Sequence, residues 1–175
     1  SPSTVPVPAP TPNTGYFAGG FVPASSPSST ATVDKINFAN DTTATVPNAA
    51  LSAARGMLTA TGNSSHGYFG GGIGDGPAIV TMDKTSYAND TTAAAPGANL
   101  TVARGAAAAA GNLSAGYFGG GTPGPVSRMD KLTYASDTTA VLPSTGALSS
   151  NRHGAAATGT TTAGYFGGGT PGPVS

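Results

Sequence analysis

The hexapeptide Gly-Tyr-Phe-Gly-Gly-Gly at residues 67–72 decides the fold, because close copies of it recur along the chain. The copies lie at 15–20, with Ala in the fourth position, at 116–121 and at 164–169. Their tyrosines, separated by 52, 49 and 48 residues, are Tyr16, Tyr68, Tyr117 and Tyr165. A tyrosine–phenylalanine pair favours a β-strand, and the glycines that follow permit a tight turn or the close approach of another backbone. The spacing predicts a repeat of about fifty residues.

A second block keeps the same phase and predicts another strand in each repeat. It reads Val-Asp-Lys-Ile-Asn-Phe-Ala-Asn-Asp-Thr-Thr at 33–43 and returns in related form at 82–92 and 129–139. Its alternation places Asp34 and Phe38 on one face of the strand and Lys35 on the other. The Asn-Asp-Thr-Thr end is typical of a turn. The aspartates that open the block are Asp34, Asp83 and Asp130.

A third block pairs a leucine with an arginine four residues later, and the arginines are Arg55, Arg104 and Arg152. We expect these arginines to donate hydrogen bonds to backbone carbonyls between repeats, because a guanidinium offers five donors in a fixed fork. Further strands are predicted at 44–46 and 57–61 and at the equivalent positions. The composition of 106–110, a run of alanines, favours a helix. Its phase matches 57–61, so we predict a strand.

These blocks predict an all-β chain built from four-stranded repeats, three complete and a fourth partial. The Pro-rich start is predicted to be an extended arm, and 21–32 an enlarged loop of repeat 1. The predicted boundaries are 1–14 for the arm, 15–66 for repeat 1, 67–115 for repeat 2, 116–163 for repeat 3 and 164–175 for partial repeat 4.

Composition limits the possible functions. The 175 residues include 27 Gly, 15 Pro and no Cys, and only 8% are charged, with zero net charge. Such a chain depends on many short strands and on contacts between repeats or chains for stability. Clustered basic residues for a nucleic-acid surface are lacking, and no apolar run approaches the roughly 18 residues of a membrane span. We therefore expect neither a nucleic-acid partner nor a membrane span.

The candidate chemical motifs predict no enzyme, cofactor or metal. Asp34 and Lys35 are adjacent on a strand and point to opposite faces, so a structural ion pair or hydrogen-bond anchor is the better interpretation than an acid–base pair. The glycine-rich stretch 70–76 lacks the Lys-Ser or Lys-Thr of a phosphate-binding loop. His66 and His153 fall in different phases of the repeat.

Asn-x-Ser/Thr sequons indicate possible glycosylation if the protein is extracellular. They could equally be ordinary turn-forming sequence. The sequon asparagines are Asn40, Asn63, Asn89, Asn99 and Asn112.

Taken in order, the three blocks resemble the kelch repeat over about residues 15–175. A kelch unit carries a Gly-Gly doublet after a strand, a Tyr before a polar turn and an Arg at the start of the next unit. The chain is also similar to glycine-rich, degenerate kelch-like repeats of phage virion and microbial surface proteins. The resemblance implies units like propeller blades, and propellers usually close with about four to eight blades. Three arrangements therefore stay open: a fragment of a longer array, units completed by another chain, or units stacked in a line.

The repeats and the absence of catalytic motifs predict a structural protein that self-assembles into an extracellular, cell-surface or virion-associated filament. The alternative is a binding module that recognises glycan or a host surface through its loops. The block at 164–169 is expected to supply an opening strand without partner strands. An unpaired strand edge templates pairing with another chain. We therefore predict a homo-oligomer or filament formed by strand completion between chains.

Overall fold

The structure, a computed structural model, describes residues 13–22, 28–124 and 126–171. Most of the predicted arm and part of the enlarged loop of repeat 1 lie outside these ranges. Within them every regular element is a strand or a 3₁₀ turn, so the prediction of an all-β chain is confirmed. The 3₁₀ turns lie at Pro47–Ala49, Pro96–Ala98 and Ser144–Gly146.

The strands of the described ranges recur at the phase of the sequence repeat. They are β1 (Thr14–Ala18), β2 (Val33–Asn37), β3 (Thr42–Thr45), β4 (Thr59–Gly62), β5 (His66–Gly70), β6 (Met82–Ser86), β7 (Thr91–Ala94), β8 (Ala108–Gly111), β9 (Ala115–Gly119), β10 (Met129–Thr133), β11 (Thr138–Val141), β12 (Arg152–His153), β13 (Ala156–Gly159), β14 (Gly164–Gly167) and β15 (Thr170–Pro171).

Every strand pairs antiparallel to its neighbour, and the larger sheets are meanders. Two sheets have four strands, β4-β5-β6-β7 and β8-β9-β10-β11, and one has three, β1-β2-β3. The pairs β13-β14 and β12-β15 complete the described sheets. Each four-stranded sheet begins with the last strand of one repeat and continues with strands of the next, as when β4 pairs with β5. This connection ties consecutive repeats through main-chain hydrogen bonds.

Most of the alanine run of repeat 2 forms a strand, as its phase predicted, but the strand begins two residues later than 106 because Ala106, like Met57 in repeat 1, has a left-handed φ, of 51° and 53° respectively. Residues 108–111 make β8, in which Ala110 lies opposite Tyr117 and Ala109 opposite Phe118. Pairing with the tyrosine–phenylalanine strand outweighs the helix propensity of alanine, because local propensity is a weak preference that tertiary context overrides.

The polar turn after β2 and its equivalents depends on aspartate in a left-handed conformation. Asp41, Asp90 and Asp137 have φ angles of 55°, 53° and 49°. Asp tolerates this region better than most residues. In the first of these turns, Asn40 Oδ1 accepts a hydrogen bond from the amide of Thr42 at 3.2 Å. The turn therefore holds each aspartate at a fixed place beside its sheet.

The apolar core lies between consecutive sheets. One cluster joins Val33 and Leu51 of repeat 1 to Phe69 of repeat 2. The other joins Tyr68 and Leu100 of repeat 2 to residues of repeat 3, namely Phe118, Leu132 and Tyr134. The sheet β4-β5-β6-β7 therefore buries one face against the sheet before it and the other face against the sheet after it.

The end of the described chain differs from two expectations. The opening strand of partial repeat 4, β14, does have a partner, because β13 from the end of repeat 3 pairs with it. The tyrosines were expected to share one environment, yet Tyr68 is 1% exposed and Tyr165 is 62% exposed. Tyr68 is buried because the sheet of repeat 3 packs on its face of the sheet. The described chain places no sheet on the equivalent face at Tyr165, so Tyr165 is exposed.

Candidate functional site at the joints between repeats

We call the contact surface between two consecutive repeats a joint. At joint 1–2, Arg55 of repeat 1 is fully buried and its side chain enters repeat 2. Its Nε donates to the carbonyl of Gly71 at 2.8 Å and its Nη2 to that of Phe69 at 3.2 Å. Its Nη1 lies 2.9 Å from Oδ2 of Asp83, a carboxylate that is also fully buried. The arginine therefore binds the strand ahead of it through both backbone and side chain.

Joint 2–3 repeats the carboxylate and phenylalanine-carbonyl contacts of this arrangement, but Nε and Nη1 of Arg104 are buried without a hydrogen-bond partner. Arg104 Nη2 lies 2.8 Å from Oδ2 of Asp130 and 3.3 Å from the carbonyl of Phe118. Burial lowers the pKa of Arg104, and the carboxylate of Asp130 opposes that effect. The hydroxyl of Thr101 also donates to Asp130 at 2.6 Å. The prediction that these arginines bond carbonyls across repeats is confirmed for both joints.

The glycine doublets hold the backbone of the same arginines. Gly72 donates its amide to the carbonyl of Arg104 at 3.0 Å, and Gly20 does the same to Arg55 at 2.9 Å. Gly71 has a φ of +63°, and a Cβ there would lie 2.3 Å from the Arg104 carbonyl oxygen. Only glycine fits both the conformation and the space. The doublet therefore fixes the backbone position of each arginine, from which its side chain extends into the next repeat.

A second ion pair crosses each joint nearer the surface. At joint 1–2, Asp90 of repeat 2 accepts hydrogen bonds from Lys35 Nζ at 2.9 Å and from the Tyr16 hydroxyl at 2.5 Å. At joint 2–3, Asp137 accepts from Lys84 at 2.7 Å and from Tyr68 at 2.6 Å. Neighbouring Asp83 and Lys84 thus pair across different joints and not with each other.

These contacts shift several pKa values. Burial would raise the pKa of Asp137, but hydrogen bonds from Lys84 and Tyr68 outweigh burial and lower it. Burial is opposed in the same way at Asp90, whose pKa is lowered by hydrogen bonds from Tyr16 and Lys35. Burial also raises the pKa of Tyr68, and its bond to Asp137 adds to the rise. The aspartates are therefore held in the charged state and the tyrosine in the neutral donor state.

Stacked aromatic rings accompany the outer ion pairs. The rings of Tyr16 and Tyr87 lie 5.0 Å apart and 9° from parallel. Those of Tyr68 and Tyr134 lie 5.0 Å apart and 16° from parallel. Burial raises the pKa of Tyr87 to about 12. The two joints therefore share one pattern, an inner Arg–Asp pair with an outer Lys–Tyr–Asp group and a ring stack.

The third arginine has only part of this environment. Arg152 donates to Ser149 Oγ at 2.8 Å and to the carbonyl of Gly168 at 3.4 Å, so its expected carbonyl contact is present. Its Nε is buried without a hydrogen-bond partner. The described residues place no aspartate beside it. At the other end, Asp34 accepts a hydrogen bond from Thr45 at 2.9 Å and pairs with no arginine among the described residues.

Four of the five sequon asparagines take part in turns, and the fifth, Asn99, bonds the start of β6, which is 17 residues away. Asn40, Asn63 and Asn112 each accept a hydrogen bond from an amide two residues later. Asn89 accepts one from the hydroxyl of Thr91, and Asn99 accepts one from the amide of Met82. The contacts in turns fit the interpretation as turn-forming sequence and leave glycosylation untested.

Sequence reasoning missed the outer aspartates. Asp41, Asp90 and Asp137 were interpreted as turn residues, and the turn is real, but Asp90 and Asp137 also form ion pairs across joints. Their fixed phase in the repeat was the available signal. Among the described residues, no group of three or more His, Cys, Asp or Glu could hold a metal ion. No helix in the described ranges is both long and apolar enough to cross a membrane.

Comparison with known proteins adds no family assignment. No protein-family model matches the chain, and no curated protein shows significant similarity to it.

Proposed function

We propose that this chain is a structural repeat protein whose kelch-like units self-assemble into an extracellular, cell-surface or virion-associated filament. The observation that carries the proposal is the open edge of β14. Among the strands that the structure describes, β14 pairs with β13 on one side only, whereas its equivalents β5 and β9 each lie between two strands. An open edge pairs readily with a strand of another chain.

Backbone geometry supports this edge as a pairing surface. The amide of Thr160 donates to the carbonyl of Ala163, so the alternation of antiparallel pairs turns the amides of Tyr165 and Gly167 toward β13. The amide and carbonyl of Phe166 consequently point to the open side. A neighbouring chain that adds strands here makes a head-to-tail contact, which gives a ring or an open helical filament.

Two measurements on the full chain test the proposal. Light scattering after size exclusion should give a mass that rises with concentration above the 16.7 kDa of one chain, and negative-stain microscopy should reveal filaments of uniform width. A mass of one chain at every concentration would refute self-assembly.

Three variants then test the edge. Phe166→Pro removes the amide that faces the open side and should prevent assembly. Phe166→Leu keeps that amide and should assemble. The matched control is Val141→Pro, because Val141 is an exposed residue on the outer strand β11. Loss of assembly with Phe166→Leu, or normal assembly with Phe166→Pro, would remove β14 from the contact.

A binding module remains the second candidate, because a groove lies between repeat 3 and the β13–β14 hairpin. Its lining combines the rings of Tyr117 and Phe166 with polar side chains from Asn112, Ser149 and Thr160. Aromatic rings flanked by hydroxyl and amide groups suit a carbohydrate. Saturable glycan binding that is lost in Tyr117→Ala, by a chain that stays monomeric, would favour this function over the filament.

A further inference from the structure

The two joints define a donor face and an acceptor face on every repeat. The donor face carries the arginine, the lysine and the tyrosine, as Arg55, Lys35 and Tyr16 do at joint 1–2. The acceptor face carries two aspartates and an aromatic ring, as Asp83, Asp90 and Tyr87 do. Faces of opposite charge therefore meet at each joint.

Repeat 3 presents a donor face that is already arranged for a partner. Lys131 Nζ lies 6.0 Å from the centre of the Tyr117 ring, close to the 5.5 Å between Lys84 and Tyr68 at joint 2–3. Neither Lys131 nor Tyr117 has a carboxylate partner among the described residues. With Arg152, which contacts Ser149 and Gly168 and has no carboxylate partner among the described residues, they form a positive face that the described chain leaves unmatched.

Repeat 1 presents the complementary acceptor face. Phe38, in the phase of Tyr87 and Tyr134, is 54% exposed. Asp34 and Asp41 occupy the phases of the two paired aspartates and meet no cation among the described residues. This face is therefore negative and apolar where the donor face of repeat 3 is positive and aromatic.

We propose that the donor face of repeat 3 binds the acceptor face of repeat 1 in a second copy of this chain. Arg152 pairs with Asp34 of the second copy, Lys131 and Tyr117 pair with its Asp41, and Tyr117 stacks on its Phe38. This inference rests on the proposed filament and assigns the residues that form its contact.

The order of strands within the sheets supports the same contact between the two copies. The β2–β3 hairpin of the second copy adds to the open edge of β14, and β14 takes the place of the second copy's own β1. The product, β13-β14-β2-β3, has the order of the complete sheet β4-β5-β6-β7. The β14–β2 ladder replaces the β1–β2 ladder with nearly the same sequence, at 164–169 and 15–20, and it releases β1 of the second copy.

A backbone hydrogen bond that recurs between consecutive repeats predicts one further contact between the two copies. The amide of Ala106 donates to the carbonyl of Met57, and the amide of Gly154 donates to that of Ala106, both at 2.8 Å. These residues share one phase in repeats 1, 2 and 3. The next step in the series joins the amide of Met57 in the second copy to the carbonyl of Gly154.

Charge exchange on the full chain tests the contact. Arg152→Asp and Asp34→Arg each place like charges opposite one another in a uniform assembly. Each should raise the concentration for half-assembly by about a hundredfold or more. An equimolar mixture of the two variants should assemble again, because each variant restores the opposite charge for the other. The control Gly76→Arg adds a positive charge in an exposed loop, where a Cβ would meet no atom within 4 Å, and should assemble normally.

Assembly by both single variants at the wild-type concentration would overturn the contact while leaving the filament intact. A mixture that stays unassembled although both variants melt like the wild type would also overturn it. An unassembled wild-type chain would instead remove the proposed function itself.

Cross-linking gives a test that does not depend on charge. The sequence has no cysteine, so Lys131→Cys chains mixed with Asp41→Cys chains offer one site each to a short bis-maleimide. The expected product is a mixed dimer of the two variants. Dimers of Lys131→Cys with itself, or an internal link within a chain that carries both substitutions, would overturn the proposal.

Discussion

Arg104 and Arg152 occupy the same position in consecutive repeats, yet their side chains contact different residues. The side chain of Arg104 is almost fully buried and faces Asp130 on β10, the strand that follows the tyrosine–phenylalanine strand of repeat 3. Arg152 reaches Gly168 beyond β14, but the sequence from β14 onward contains no aspartate. The tyrosine–phenylalanine strand therefore positions the arginine side chain. The strand that follows it supplies the carboxylate that neutralises the guanidinium.

This difference shows how stability is divided along the chain. Arg55 and Arg104 are buried with their carboxylates, so each joint depends on both partners of an ion pair. A buried pair adds little over an apolar contact of the same shape, but the loss of one partner leaves an uncompensated charge. The inner joints should therefore respond to mutation far more strongly than the face of repeat 3.

The largest expected effect separates Arg55 from Arg152. Arg55→Ala leaves Asp83 buried without its cation and removes the bonds to the carbonyls of Gly71 and Phe69. We expect a loss of about 3–5 kcal/mol in the free energy of unfolding. Arg152→Ala removes no carboxylate pair and should cost about 1 kcal/mol or less. Urea unfolding of dilute, unassembled protein measures both values.

The double variant Arg55→Met with Asp83→Leu provides the control. Because it removes both charges and keeps apolar volume, it should regain much of the stability that Arg55→Ala loses. Equal losses for Arg55→Ala and Arg152→Ala would mean that the carboxylate contributes nothing to the joint.

The repeat phase was enough to predict the strands, because each block carries its own local signals. Tyrosine and phenylalanine before glycine, and asparagine before aspartate, fix a strand end and a turn within a few residues. A strand was predicted at 106–110 only because phase was preferred to alanine's helix propensity, and the structure has it at 108–111. The repeat phase thus predicted a strand where the alanine content alone favoured a helix.

The ion pairs could not be predicted in the same way. Arg55 and Asp83 are 28 residues apart in sequence, and their contact depends on how two sheets pack face to face. The sequence also left open which strands share a sheet, because the pairing of β4 with β5 crosses the boundary between repeats 1 and 2. Asp90 and Asp137 were predicted as turn residues, since nothing local indicates the lysine and tyrosine that they meet.

A smaller effect should separate two glycines with the same conformation. Gly71 and Gly168 have φ angles of +63° and +68°, so alanine costs about 1–2 kcal/mol at either position. A Cβ at Gly71 would also lie 2.3 Å from the carbonyl oxygen of Arg104, whereas one at Gly168 would meet nothing within 4 Å. We expect Gly71→Ala to cost roughly 2–4 kcal/mol and Gly168→Ala only the conformational part. Chemical denaturation compares the two, and equal losses would show that the backbone relaxes freely at the joint.

The smallest effect concerns acid stability. Asp137 has a lowered pKa in the folded chain because its bonds to Lys84 and Tyr68 outweigh burial. In the unfolded chain its pKa returns to about 4. Its contribution to stability is therefore fully present above about pH 4 and is lost as the pH falls through the lower folded value. Because the ion pair is partly exposed, only part of the acid loss should come from this residue.

Asp41 supplies the matched comparison, because it occupies the same turn position at a φ of 55° but meets no cation among the described residues. Asp137→Asn should flatten the loss of stability below about pH 4 more than Asp41→Asn does, because only Asp137 has an ion pair across a joint to lose. Thermal melting of dilute protein from neutral to acid pH measures both slopes. If Asp41→Asn flattens the acid limb as much as Asp137→Asn does, the turn itself and not the ion pair across the joint carries the acid sensitivity.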